Sequence, residues 1–261
     1  MKIITFNIKS SNKHIKEDLK TLHSLNADVY CIQEFPKESY NLLEKLFKKY
    51  FISKCREYFL TNSTTKKSLR QLNIILSRYE FQKENTILHI PMEKISFLYK
   101  ITLKTNFSII ESHYVDIIIE NTPLRIVNLH LECFTSPKFR IQQFNHIYKS
   151  ALKDMNHDNI LFVGDFNIFA KPIYNWILAP FFGFSFKDLW TNEHLEFEQE
   201  ISQKKLQIYF PNSSTLKRIP ISCDGVISKS KHLNHNNKIE VKKNVIKTSS
   251  DHYIIEIIFH I

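Results

Sequence analysis

The sequence predicts an α/β fold in which two β-sheets are flanked by helices. Three observations carry this expectation. Short apolar, β-branched segments are spread from one end of the chain to the other, stretches between them have helical spacing of apolar residues, and several apolar strands end on a polar side chain. The clearest such strand is 159–167, Asn-Ile-Leu-Phe-Val-Gly-Asp-Phe-Asn, where a buried-type run gives way to Gly164, Asp165 and Asn167. Layered α/β proteins place ligands at that end of a strand. Taken alone, an Asp and an Asn there equally well hydrogen-bond their own turn.

In chain order, residues 2–8 form the first strand, and Ser11 or Asn12 caps a helix with Ile15, Leu19 and Leu22 on one face. A second strand runs from Asp28 to Glu34, and Pro36 opens a helix that turns Leu42, Leu43, Leu46 and Tyr50 inward. Residues 51–60 and 70–78 read as strands around a polar loop at 61–68. Two or three β segments follow between 95 and 132, turning at Asn121-Thr122-Pro123. Thr135 or Ser136 with Pro137 begins the clearest helix, whose stripe is Phe144, Ile147, Tyr148, Ala151, Leu152 and Met155. A short helix is expected over 172–180 and surface loops over 191–220, and three strands near 221–228, 237–246 and 252–260 close the chain.

No Gly/Ser/Pro-rich linker, low-complexity tract or repeat divides the 261 residues, so a single domain over 1–261 is expected. No apolar run approaches the ~18 residues of a membrane span. Only about five apolar residues precede Asn7, fewer than a secretory signal uses. These features predict a cytoplasmic protein without a membrane span, expected to be a monomer. Cys31, Cys55, Cys133 and Cys223 are far apart and form neither a zinc cluster nor a disulfide framework. The formal net charge of +10 suits a polyanionic partner, because lysines and arginines displace phosphate counterions. Glycine is scarce at three residues, and two of them, Gly164 and Gly225, sit beside Asp165 and Asp224.

Other strands repeat the design of 159–167. Ile3–Asn7, Val29–Glu34 and Leu124–His130 end on polar groups, Cys223–Ile227 opens with Asp224, and Ser249-Ser250-Asp251-His252 precedes the last strand. Each segment alone is more often structural than functional. Taken in order, Phe6-Asn7, Gln33-Glu34, Asn128-Leu129-His130-Leu131, Gly164-Asp165-Phe166-Asn167, Asp224 and Ser250-Asp251-His252 resemble the endonuclease/exonuclease/phosphatase superfamily, which includes DNase I-like nucleases. The likeness extends over essentially the whole chain, including Leu25–Val29 and Phe186–Trp190.

The resemblance implies a four-layer α/β/β/α sandwich with two mixed, mainly antiparallel central sheets. It also implies phosphate-ester hydrolysis with a divalent metal, Mg²⁺ or alternatively Mn²⁺. Such chemistry needs an activated water, neutralised phosphoryl charge and help for the leaving oxygen. By resemblance, Glu34 binds the metal, Asn7 helps hold it or orients Asp165, and Asp251 lies near it directly or through water. Asp165 orients or deprotonates the attacking water, and Asn167 donates to a phosphoryl oxygen. His130 and His252 contact the phosphate, and Asp224 fixes the tautomer of His252. Both Asp251 and His252 serve one site only if the chain turns at Ser249-Ser250. Arg140, in the helix after His130, is expected to reach a substrate phosphate or else to be solvated.

Two positions depart from the family pattern. Lys9 stands where many abasic-site enzymes have an acidic residue, and Ile221-Ser222-Cys223 precede Asp224 where an arginine is common. The expected function is a metal-dependent phosphodiester hydrolase, a nuclease or DNA-processing enzyme with nucleic acid as substrate. The alternatives are a phosphatase or phosphodiesterase acting on lipid or small-molecule phosphates, and an inactive nucleic-acid-binding relative. Retention of the converging carboxylates argues against the last. Specificity is expected in the loops at 61–68 and 191–220.

Overall fold

The computed structural model describes residues 1–61, 69–90, 105–133, 135–169, 171–172, 175–176, 185–217, 221–229, 239–246 and 248–259. Its strands are β1 (Lys2–Asn7), β2 (Val29–Pro36), β3 (Phe51–Thr61), β4 (Leu69–Ser77), β5 (Lys83–Leu88), β6 (Thr105–Ile119), β7 (Thr122–His130), β8 (Ile160–Asp165), β9 (Gln207–Tyr209), β10 (Asp224–Lys229), β11 (Ile239–Asn244) and β12 (Ile254–Phe259). The α-helices are α1 (Ile15–Ser24), α2 (Tyr40–Leu46), α3 (Pro137–Leu152) and α4 (Glu193–Gln203).

One sheet has the order β11-β12-β1-β2-β4-β3, and the other has β6-β7-β8-β10-β9 with β5 on the free side of β6. The long strand β6 pairs with β3 through its first residues and with β5 and β7 further on, so it passes from one sheet to the other. Only β1–β2 and β7–β8 are parallel among the described pairs. The sheets are therefore mixed and mainly antiparallel, as expected.

Strand periodicity assigns the layers. Ile3, Val29, Cys31 and Ile257 of one sheet meet Val115, Ile126, Leu161, Val163 and Val226 of the other in a shared core. The alternate residues Ile4, Phe6, Tyr30 and Ile32 face α1 and α2. Val127, Leu129, Ile160 and Phe162 face α3 and α4. A strand covered on both sides is buried at nearly every position, and β1, β2 and β8 are, with the polar Thr5, Asn7, Gln33 and Asp165 among their buried residues.

The local signal held at the start of α3, whereas α1 starts after His14 and not at Ser11 or Asn12, Pro36 ends β2, and the turn expected at Asn121-Thr122-Pro123 falls one residue earlier. Ser136 caps α3, with Pro137 at the first position and the Ser136 side chain accepting the Phe139 N–H. Glu120 and Asn121 turn β6 into β7 with φ of 49° and 66°, the left-handed pair a tight hairpin requires.

Three elements were not foreseen. Residues 191–220 were expected to be loops, yet they contain α4 and β9. Here the inward stripe is one residue wide, Glu193, Phe197 and Ile201, and is surrounded by polar residues. The third element is β5, an edge strand in which only Ile87 is buried. Of the loop at 61–68 only Thr61 is described, and of the helix expected over 172–180 only 172, 175 and 176 are. Among the described residues no helix is long and apolar enough to cross a membrane.

Candidate active site

The two parallel pairs set the location of the site. The carboxyl ends of β1, β2, β7 and β8 lie at one edge of the layers, where antiparallel β10 and β12 begin. Register brings His130, Asp165 and Asp224 side by side on neighbouring strands. Asn7 is level with Gln33. Asn7, His130, Asp165 and Asp224 share strand parity with Ile3, Ile126, Val163 and Val226, so period two turns them toward the space between the sheets.

Glu34 has the wrong parity, and a β-bulge corrects it. The register of β2 against β4 shifts between Ile32 and Phe35, and Glu34 takes a left-handed φ of 53°. The extra residue lets Phe35 resume the outer apolar face while the Glu34 carboxylate joins the others. Below it, Gln33 Nε2 donates to Asn128 Oδ1 at 2.7 Å, and Asn128 Nδ2 donates to the carbonyls of Ile32 and Ile74, tying the sheets together. Gly164 makes another close approach possible. Its φ is 149°, and a Cβ there would lie 2.0 Å from the Leu129 carbonyl oxygen.

Asn7 links the two halves of the site. Its Nδ2 donates to Glu34 Oε1 at 3.0 Å and to Asp165 Oδ2 at 3.1 Å, and its Oδ1 accepts the Lys9 N–H at 3.1 Å. The amide nitrogen thus orients both carboxylates, one of the two roles expected of Asn7, and the amide oxygen keeps a second lone pair beside its contact with the Lys9 N–H. The second Glu34 oxygen accepts the Ser10 N–H at 3.3 Å. His130 Nε2 is 3.9 Å from Glu34 Oε1 and 3.9 Å from Asp165 Oδ2.

On the other side, His252 Nε2 is 3.8 Å from Asp165 Oδ2, and its Nδ1 is 3.0 Å from Asp224 Oδ2. Asp165 Oδ1 accepts the N–H of Asn167, whose φ is 50°. One hydrogen of Asn167 Nδ2 goes to the Leu131 carbonyl at 2.7 Å, leaving the second for another acceptor.

Electrostatics separate the acids from the base. Burial, reinforced by Asp224, pushes Asp165 up to about 6 against the pull of His252 and His130. Burial disfavours the His252 imidazolium, but Asp224 and then Asp165 more than offset it and raise His252 to about 9. The raised value favours the protonated ring, which lies between the side chains of Asp224 and Asp165. Asp224 Oδ1 is buried with no hydrogen-bond partner, and ligand atoms of Asp165, Asp224 and His252 lie within 4.8 Å of one another. Glu34, a quarter exposed, offers a further carboxylate. An orphaned carboxylate oxygen among converging oxygen donors fits a divalent cation.

The bend expected at Ser249-Ser250 is present. Ser250 Oγ donates to the Asn7 carbonyl at 2.7 Å and accepts the His252 N–H at 3.1 Å. Asp18 of α1 accepts the Ser249 N–H, and Leu216 forms a β-bridge with His252. Asp251 is engaged by Lys9, with Nζ 2.7 Å from Oδ2, which holds its carboxyl below the usual range although burial acts the other way. Neither the Asp18 nor the Lys9 contact was legible in sequence, because each joins residues more than 200 positions apart with no shared motif.

Arg140 corrects an expectation. It is buried with Nε 2.5 Å and Nη2 2.8 Å from the two Glu193 oxygens, and Nη1 donates to the carbonyls of Cys133 and Thr135. The guanidinium clamps α4 to the segment after β7 and has no face left for a phosphate.

No protein-family model matches the chain, and no curated protein matches it in sequence. Solved structures do match. An endonuclease/exonuclease/phosphatase family protein from Leptotrichia buccalis is 14% identical with TM-score 0.66, covering 100% of both chains. ANGEL2, a 2′,3′-cyclic phosphatase in complex with adenosine-2′,3′-vanadate, is 16% identical with TM-score 0.60, covering 99% of this chain and 94% of that one. A mannosyl-6-phosphatase from Bacteroides thetaiotaomicron is 10% identical with TM-score 0.62, covering 100% of both chains. The chain has the four-layer α/β sandwich fold of the endonuclease/exonuclease/phosphatase superfamily.

Proposed function

We propose that this protein is a divalent-metal-dependent phosphoester hydrolase whose substrate is a phosphodiester of nucleic acid. The observation that carries the reading is the convergence of Glu34, Asn7, His130, Asp165, Asp224 and His252, delivered by strands from both sheets to one edge. The fold likeness to phosphatases supports the reaction class.

In this reading a Mg²⁺ or Mn²⁺ ion at Glu34 would supply charge neutralisation for the phosphoryl and leaving oxygens. Asp165, ionised above about 6, orients the attacking water and takes its proton. The His252 imidazolium presents Nε2 to a phosphoryl oxygen, while Asp224 holds the other nitrogen and fixes the ring. His130 Nε2 and the remaining N–H of Asn167 are further donors for the same charge. Asn7 keeps Glu34 and Asp165 in register with each other.

The nucleic-acid assignment rests on the net charge of +10 and on Trp176 and Trp190, both more than half exposed with ring centroids 5.6 Å apart. A second reading, hydrolysis of a small phosphate monoester, is favoured by the likeness to the mannosyl-6-phosphatase. A panel decides between them: single- and double-stranded DNA and RNA, 2′,3′-cyclic nucleotides and sugar phosphates, each with Mg²⁺, Mn²⁺ or EDTA. Metal-dependent cleavage of a nucleic acid that disappears in Asp165→Ala and His252→Ala supports the proposal. Turnover of sugar phosphates alone supports the second reading, and nucleic-acid binding without turnover makes the chain an inactive relative.

A further inference from the structure

We infer that Lys9 withholds Asp251 from the metal, leaving Glu34 as the carboxylate that binds it. The inference rests on the metal-dependent reading of this site and deepens it, by assigning Lys9 the control of how many carboxylates the cation meets.

A single turn, Asn7 to Ser10, treats the two acids differently. The hydrogen bonds to Glu34 come from neutral donors, Asn7 Nδ2 on one oxygen and the Ser10 N–H on the other, and the His130 ring nitrogen stands further off at 3.9 Å. Asp251 receives a full positive charge from Lys9 Nζ at 2.7 Å. The turn aims Lys9 by fixed backbone contacts. Its N–H is held by Asn7 Oδ1, its carbonyl accepts the Asn12 N–H at 2.9 Å, and φ is 63°. A left-handed lysine is uncommon, and here the same Asn7 side chain that orients Glu34 and Asp165 also sets that conformation.

Asp251 is fixed from its own side. The Lys217 N–H donates to the Asp251 carbonyl at 2.8 Å, and the adjoining Ser250 is hydrogen-bonded to Asn7. The two partners therefore meet because both backbones are anchored, and not through a wandering surface contact. Side-chain exposures of 42% and 44% mean that the pair adds little to stability, so its consequence lies in local charge.

For a cation to take Asp251 as a ligand, it must displace an ammonium and then tolerate that ammonium nearby. Magnesium needs only one or two carboxylates and fills its remaining positions with water and phosphate. The lower-energy arrangement keeps the ion pair and places the metal on Glu34.

The test is Mn²⁺ binding, followed by the electron paramagnetic resonance signal of the free ion, with no substrate present. In the wild type, Glu34→Gln weakens binding by about tenfold or more, while Asp251→Asn changes it by no more than about threefold. Lys9→Ala frees Asp251 and tightens binding by about tenfold, and the gain disappears in Lys9→Ala/Asp251→Asn. Anomalous scattering from a Mn²⁺-soaked wild-type crystal shows the ion on Glu34 with the Lys9–Asp251 pair intact. An Asp251 oxygen on the ion in that crystal, or Asp251→Asn weakening binding as much as Glu34→Gln, overturns the inference while leaving the hydrolase reading standing. Absence of Mn²⁺ binding in every variant removes both.

Discussion

His252 stands between two acids, with Nδ1 3.0 Å from Asp224 Oδ2 and Nε2 3.8 Å from Asp165 Oδ2. The first contact fixes which nitrogen faces the open side of the site, and the second couples the ring to the residue proposed to activate water. In Asp224→Asn an amide replaces the carboxylate, so the partner that favours the imidazolium and holds its orientation is lost. The expected outcome is a drop in kcat of about 10²- to 10⁴-fold with the fold retained, checked by steady-state kinetics beside circular dichroism. A variant within a few-fold of wild type denies Asp224 that role.

The rate should follow a bell-shaped pH profile. Asp165 must be ionised to take a proton, and burial raises it to about 6, so activity climbs as pH passes through that value. His252 must be protonated to donate, and its value of about 9 places the descending limb there. In Asp224→Asn the descending limb moves to lower pH, because a carboxylate that held the proton is gone. A profile flat from about 5 to 10 contradicts both assignments.

The same His252 proton contributes to stability, with a sign that can be checked. Its folded pKa is raised, so the contribution is fully present below the ordinary histidine value of about 6.5 and is lost as pH rises through about 9. Urea midpoints of the wild type should therefore fall over that window more steeply than those of His252→Gln. Equal slopes show that the raised value has no counterpart in the folding equilibrium.

Gly164 should tolerate no side chain. An added Cβ meets the Leu129 oxygen at 2.0 Å, a backbone atom in the neighbouring parallel strand that cannot swing away, and φ is 149°. Gly164→Ala is expected to cost about 3 kcal/mol or more and to displace Asp165 and its hydrogen bond with Asn7, lowering both the denaturation midpoint and the rate. This glycine was conspicuous in sequence because the chain has so few.

Much of the site was legible because strand periodicity and strand ends are local properties. Five residues before the end of β1 and β8 suffice to show an apolar segment finishing on Asn7 or Asp165, and parity then predicts the face. Glu34 was found from its motif, although plain alternation turns it to the outer face, and only the bulge against β4 explains how it joins the cluster. What stayed hidden depends on distant partners. Lys9 and Asp251, or Asp18 and Ser249, are joined by packing of the first helix and turn against the last loop. Helix α4 was hidden for another reason, since its inward stripe includes a charged residue, Glu193, whose burial makes sense only once Arg140 is opposite it.

That pair gives a prediction which separates architecture from catalysis. Arg140 and Glu193 are both fully buried, and the guanidinium also holds the carbonyls that follow β7. Removing one partner strands a charge, so Arg140→Ala should lose about 3–5 kcal/mol, whereas Arg140→Met with Glu193→Leu should recover most of it by replacing the pair with apolar volume. At a temperature where the single variant remains folded, its KM should stay within about twofold of wild type, since nothing that meets a phosphate has been removed. Had Arg140 faced substrate, the pattern would be the reverse: a raised KM, little change in the urea midpoint, and no rescue by the apolar pair.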